Sequence, residues 1–125
     1  MANQLFKTPE SSYVSSADLS AKQYYFVKLD ASDEIELCSA ITDIPLGVLQ
    51  NAPEAGQVAV VRTIGNTKVV ANGAIARDVD VGPATTGKAQ TAVSTQFPCG
   101  RVIHAAAADE DLMVIRLFDT AVALA

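Results

Sequence analysis

The segment 44–75 holds the most regular succession of short strands and turns in the chain, and it limits the fold more than any other feature. Residues 51–56, Asn-Ala-Pro-Glu-Ala-Gly, predict a turn. Gly65-Asn66 predicts a two-residue hairpin between the strands on either side of it. The predicted strands are rich in β-branched or apolar residues, which pack well on a pleated sheet. They are Leu46–Leu49, Gln57–Ile64 and Thr67–Ala71.

A second, diverged copy of this segment follows later in the chain. Three pieces match in the same order and at similar spacing, which is typical of a repeated supersecondary unit. We therefore predict two copies of one β unit of about fifty residues, related by an internal pseudo-two-fold axis. The matching pieces are Val27–Asp30 with Val79–Gly82, Pro45–Ala52 with Pro98–Ala105, and Val58–Arg62 with Leu112–Arg116.

Composition excludes several classes of function. The chain has 125 residues, one domain by length, and a net charge of −5, whereas phosphate binding needs clustered Lys and Arg. Half of the residues are hydrophobic, but 21 of them are Ala, and no apolar run approaches membrane-spanning length. The first residues lack a basic segment followed by an apolar one, so we expect no secretory signal and no partner among membranes or nucleic acids.

Few side chains indicate catalysis or metal binding. His104 is the single histidine and has apolar or small neighbours, so a structural role is the simpler interpretation. The acidic groups at Asp30/Asp33 and 109–111 lack the ligand spacing of a calcium loop, and we interpret them as solvated turn residues. We assign no catalytic, metal-binding or cofactor-binding residue and expect no cofactor and no enzymatic activity.

Two other reactive residue types also lack a supporting pattern. Cys38 and Cys99 have no CxxC spacing or partner histidine, and the sequence leaves open whether they pair. Lys88 follows Thr86-Gly87 and lies at a predicted exposed hairpin tip. The modified lysine of biotinyl and lipoyl carrier domains also lies at an exposed hairpin tip. Those domains have an acidic residue or Met directly before the lysine, where this chain has Gly87.

The two ends of the chain differ from the repeats. Residues 1–20 are polar and sustain neither helical nor strand periodicity, so they read either as a disordered terminus or as an extended arm that lies on another subunit. Residues 119–125 form a short apolar tail. The candidate anchors for contact with a capsid or another subunit are apolar residues in these two segments. They are Leu5, Phe6, Tyr13, Val14, Val122 and Leu124.

The sequence thus predicts an all-β fold, a small β-barrel or sandwich-like domain built from two diverged β repeats with an extended N-terminal arm. Eight or nine short strands separated by turns, and the lack of a long amphipathic segment, support it. The predicted divisions are an arm at 1–20, a single β domain at 21–118 and a tail at 119–125. Within the domain, repeat one covers about 24–72 and repeat two about 77–118.

The run Pro45–Arg62, followed by Gly65 and then Lys68–Ile75, resembles the capsid decoration (cement, head-stabilising) proteins of tailed bacteriophages. The resemblance rests on a Gly-Val segment that leads through Pro and Gly to a strand ending in Val-Arg, and then to a Gly-Ala-Ile ending. It covers about residues 18–118. The second copy, Phe97–Val102, is more polar than is usual for that family.

This resemblance implies a structural virion protein, made in the host cytoplasm, that binds the outer surface of an expanded icosahedral phage head. It would be a homotrimer that clamps neighbouring subunits of the major capsid protein. The residues themselves leave two alternatives: a small β-barrel ligand-binding or carrier module that uses Lys88, and a small hydrolase.

Overall fold

The computed structural model describes residues 10–94, 96 and 98–118, and all regular elements in this part of the chain are β-strands. No helix there is long and apolar enough to cross a membrane. The strands form two five-stranded antiparallel sheets, with the orders β1-β5-β4-β2-β3 and β6-β10-β9-β7-β8. The strands are β1 Glu10–Val14, β2 Phe26–Leu29, β3 Ile35–Leu37, β4 Gly47–Leu49, β5 Val58–Arg62, β6 Gly65–Val70, β7 Asp80–Pro83, β8 Ala89–Thr91, β9 Gly100–His104 and β10 Leu112–Leu117.

The two sheets have the same topology. Each strand of the first sheet occupies the position that the strand five places later occupies in the second sheet. Isolated parallel bridges are repeated too: Ser15 with Ile35 joins the outer strands of the first sheet, and Ala71 with Ala89 does so in the second. The prediction of an all-β domain made of two diverged β units is therefore confirmed.

Strand registers identify equivalent residues of the two repeats. Gly47 lies opposite Val27, and Gly100 lies opposite Val81, so the two glycines are equivalent as the sequence alignment predicted. The residue equivalent to Val27 is therefore Val81, and the alignment, which paired Val27 with Val79, is wrong there by two residues. A Cβ on Gly47 would overlap the carbonyl oxygen of Arg62, and one on Gly100 would lie 3.1 Å from the carbonyl oxygen of Arg116. The repeated glycine therefore permits the close approach of two backbones at the same position in each sheet.

The predicted hairpin at Gly65-Asn66 is wrong, because β5 and β6 belong to different sheets. β5 already lies between β1 and β4, so it has no vacant edge at which β6 could pair. β6 pairs instead with β10, and residues 63–64 carry the chain from one sheet to the other. The first repeat thus spans 10–62 and the second 65–117, which moves both copies earlier than predicted.

The first sheet also includes residues that the sequence assigned to the N-terminal arm. β1 pairs along its length with β5, and Leu19 is buried in the apolar cluster of the first sheet. The sequence pattern Glu-Ser-Ser-Tyr-Val of β1 lacks alternating apolar residues, so periodicity did not reveal it. The domain extends back at least to Glu10, and residues 1–9 of the predicted arm lie outside the described residues.

Two apolar clusters stabilise the fold. The smaller contains first-repeat residues such as Val27, Leu49 and Val61. The larger contains the equivalent second-repeat side chains, and Phe26 and Val48 from the opposite face of the first sheet also pack into it. The repeats therefore stack head to tail.

A pseudo-two-fold axis would instead bring equivalent faces together, so that prediction is wrong. The counterparts of Phe26 and Val48 in the second repeat are Asp80 and Arg101. These charged residues leave the corresponding face of the second sheet open to solvent.

Candidate interaction surface

The histidine and the acidic turn residues considered for chemistry stabilise separate parts of the fold or face solvent. Within the described residues, no group of three or more His, Cys, Asp or Glu side chains could hold a metal ion. His104 is exposed at the end of β9. Asp30 accepts hydrogen bonds from the backbone N–H groups of Ser32 and Glu34, and these bonds lower its pKa. Asp111 accepts similar bonds within its own turn, so both carboxylates stabilise turns.

Lys88 is not the exposed tip residue that the sequence predicted, since only 8% of its surface is exposed. Its ammonium donates hydrogen bonds to Glu110 at 3.0 Å and Asp109 at 3.3 Å, which raises the pKa of Lys88. Gly87 before it packs between the repeats, where its carbonyl accepts a hydrogen bond from the N–H of Phe26. The turn is buried because it forms part of the contact between the two repeats. The structure thus gives no support to a carrier lysine.

Cys38 and Cys99 are both free thiols in the larger apolar cluster. Burial raises the pKa of Cys38 to about 12 and the pKa of Cys99 further still. Neither thiol is therefore ionised near neutral pH, and the ionised form is the reactive one. These cysteines act as small apolar core residues.

A cross-strand apolar pair with at least one exposed member recurs at the same position in the two repeats. Val14 on β1 lies opposite Val58 on β5, with 43% and 57% of their surfaces exposed. The equivalent pair in the second repeat is Val70 and Leu112; Leu112 is 51% exposed, whereas Val70 is half-buried. Isolated exposed apolar residues are ordinary, but a cross-strand pair repeated in two copies forms a defined apolar surface.

The predicted contact residues are only partly placed by the structure. Val14 belongs to the exposed pair of the first repeat, whereas Tyr13 packs partly buried against the smaller apolar cluster. The other four predicted anchors lie outside the described residues. They are Leu5, Phe6, Val122 and Leu124.

A groove of about 520 Å³ lies on the outer face of the second sheet, and sequence reasoning did not find it. The Nε of Arg101 donates to Asp80 at 3.0 Å, whereas the side chain of Arg116 makes no ion pair or hydrogen bond with any described residue. Three arginines make this groove cationic on a chain that is acidic overall. Its polar lining consists of Asn66, Arg77, Asp78, Arg101, His104 and Arg116. We call it the arginine groove.

Comparison with known proteins identifies the fold. No family model matches the chain, and no curated protein matches its sequence. Among solved structures, it is similar to the N base of the head fiber protein gp8.5 of bacteriophage phi29. The two superpose with a TM-score of 0.71 at 18% sequence identity, over 87% of this chain and 94% of that one. At this identity the similarity establishes a common fold.

Proposed function

We propose that this protein is a structural component of a tailed-bacteriophage head. The observation that carries the proposal is the shared fold: both β repeats correspond to the base of a fiber that belongs to a phage head. The resemblance of residues 45–75 to head decoration proteins supports the same assignment independently, since it rests on local sequence. A non-enzymatic role agrees with the burial of Lys88 and of both thiols.

In the more specific form of this proposal, the protein binds the outer surface of the expanded head as a homotrimer. There it stabilises the shell by clamping neighbouring subunits of the major capsid protein. The repeated apolar pairs, Val14 with Val58 and Val70 with Leu112, are suited to this contact because each would bury apolar surface on binding. Val69 on the neighbouring position of β6 is fully buried within the chain and is not available for such a contact.

We further propose that the segments flanking the domain add contacts to the capsid or to a neighbouring subunit. Leu5 and Phe6 precede β1, and Val122 and Leu124 follow β10, so two apolar anchors lie at each end. Each anchor would offset part of the conformational entropy lost when its segment becomes ordered, which is about 1–2 kcal/mol per residue.

The proposal is tested by mixing the purified protein with expanded capsids that lack it and measuring co-sedimentation. The wild-type chain should co-sediment and raise the temperature at which the capsids break. Val58→Ser should weaken binding, whereas Val93→Ser, which changes a valine of similar exposure away from the repeated pair, should not. Light scattering over a concentration series tests the trimer.

Deletion of residues 2–9 tests the anchors without removing β1. Folding should survive, as judged by the melting transition, while capsid binding should weaken. If the wild-type protein fails to bind expanded capsids, the head assignment is wrong. If the deletion variant binds as tightly as the full chain, only the role of the N-terminal anchors is wrong.

A further inference from the structure

The two repeats differ at one set of equivalent positions, on the sheet face that the first repeat packs against the second and that the second repeat leaves open to solvent. In the first sheet, Arg62 lies between Glu10 on β1 and Val48 on β4. In the second sheet, the equivalent residue, Arg116, lies between Asn66 on β6 and Arg101 on β9. The second repeat has therefore exchanged a carboxylate for an amide and has gained a second arginine.

In the first repeat, each side-chain nitrogen of Arg62 donates a hydrogen bond. Nε and Nη2 of Arg62 both donate to Oε2 of Glu10, with the Nε at 3.2 Å. The remaining Nη1 donates to the backbone carbonyl of Asn66 at 2.8 Å. One carboxylate and one carbonyl thus accept a hydrogen bond from each of the three nitrogens of this guanidinium, a planar group suited to such paired acceptors.

In the second repeat these acceptors are lacking among the described residues. The side chain of Arg116 is exposed and has no hydrogen bond or ion pair there. It also lies directly across the strand pair from Arg101, and like charges in that arrangement repel each other. Asp80 offsets only the charge of Arg101. The position that Glu10 occupies in the first repeat is occupied by a neutral side chain here.

We infer that the arginine groove binds a carboxylate side chain of a partner protein, held by Arg116 beside Arg101 as Glu10 is held by Arg62. The bound carboxylate would supply the missing acceptor and offset the repulsion between the two guanidiniums. This inference concerns the ligand of the groove and does not depend on which particle the protein belongs to.

The charges around the groove favour a protein carboxylate over nucleic acid. Asp78 and Asp80 flank the arginines, so a chain of phosphates running past Arg116 would approach one of these carboxylates. A single carboxylate side chain that enters the groove at Arg116 avoids this approach.

The test measures binding of a hexaglutamate peptide to the full chain at low ionic strength, by calorimetry and by the NMR signals of the arginine Nε–H groups. Hexaglutamine and a single-stranded oligonucleotide of matched length are the comparison ligands. Asn66→Glu recreates the first-repeat arrangement and should close the groove, while Asn66→Gln preserves the amide. Arg116→Gln removes the proposed ligand-binding group.

We expect hexaglutamate to bind and to shift the Arg116 signal, with an affinity that falls as salt is added. Asn66→Glu and Arg116→Gln should each weaken binding at least about tenfold, and Asn66→Gln should leave it unchanged. Equal binding by Asn66→Glu and wild type would overturn the inference. It would also be overturned if hexaglutamate does not bind, or if the oligonucleotide binds more tightly.

Discussion

Replacing Gly47 with alanine should destabilise the protein far more than the same change at Gly100, although the two glycines are equivalent in the repeats. The new Cβ at position 47 would overlap the carbonyl oxygen of Arg62 and would lie 2.9 Å from its carbonyl carbon. Both atoms belong to the backbone of β5, so the overlap cannot be relieved by moving a side chain. β4 and β5 would have to separate locally.

The cost follows from what that separation breaks. β4 and β5 pair through Val48 with Arg62 and Leu49 with Val61, and Leu49 and Val61 belong to the smaller apolar cluster. Losing one or two backbone hydrogen bonds costs about 0.5–1.5 kcal/mol each, and forcing extra volume into packed structure costs about 1–3 kcal/mol. We therefore expect Gly47→Ala to lower the free energy of unfolding by about 2–4 kcal/mol.

Gly100→Ala is the matched control because its added Cβ would lie farther from its nearest neighbours, so smaller shifts would accommodate it. These neighbours are the Cδ1 of Ile115 at 3.0 Å, the end of a flexible side chain, and the carbonyl oxygen of Arg116 at 3.1 Å. We expect a loss of about 1 kcal/mol or less, partly offset by the lower entropy of the unfolded alanine variant.

Urea denaturation at pH 7, followed by circular dichroism, gives both free energies. In a thermal scan, Gly47→Ala should melt about 10 °C lower than wild type. If it is as stable as wild type, or less affected than Gly100→Ala, the close approach of β4 and β5 does not constrain the fold as described.

Three further changes test the structure in other places. Lys88→Ala should lower the melting temperature more than Lys68→Ala, since Lys88 is buried and bonds to two carboxylates whereas Lys68 is exposed; equal melting curves would refute this. Burial acts to raise the pKa of Asp43, but hydrogen bonds from two backbone N–H groups and from Lys28 outweigh it, so the net shift is downward. A lowered folded-state pKa stabilises the protein above about pH 4, and this stability is lost as the pH falls through the folded-state value. Asp43→Asn should therefore cost about 1–3 kcal/mol at pH 7 and less at pH 3, as measured by urea unfolding at both pH values; an equal cost would contradict the assignment. Cys38 should react with a thiol reagent only after unfolding, because a pKa of about 12 leaves about one thiol in 10⁴ ionised at pH 8; rapid labelling of the native protein would disprove its burial.

Sequence pattern was sufficient to predict the repeat because the repeat is carried by residues with strong local requirements. Gly47 and Gly100 are fixed by a close backbone approach, and their spacings to Arg62 and Arg116 agree to within one residue. Each of these signals lies within about sixteen residues of the next and needs no knowledge of distant pairing. The all-β class and the equivalence of the two units could therefore be predicted before the sheets were known.

The pairing of the strands could not be predicted in the same way. Gly65-Asn66 has the composition of a hairpin, but whether a hairpin forms depends on a vacant edge of β5, and that edge is taken by β1. β1 pairs with a strand more than forty residues away, and its short, Ser-rich sequence gives no sign of it. The burial of Lys88 has a similar origin, because the contact between repeats covers a turn that looks exposed in sequence.

The arginine groove could not be predicted from the sequence, for a related reason. The alignment paired Arg62 with Arg116 correctly, but it began after β1 and so left Glu10 without a counterpart. Once the register makes Glu10 equivalent to Asn66, the two copies become an internal comparison of the same arginine with and without its carboxylate. The first copy shows which ligand that position accepts. Head-to-tail stacking explains why only the second copy can take this ligand from outside, since the equivalent face of the first repeat is already covered by the second.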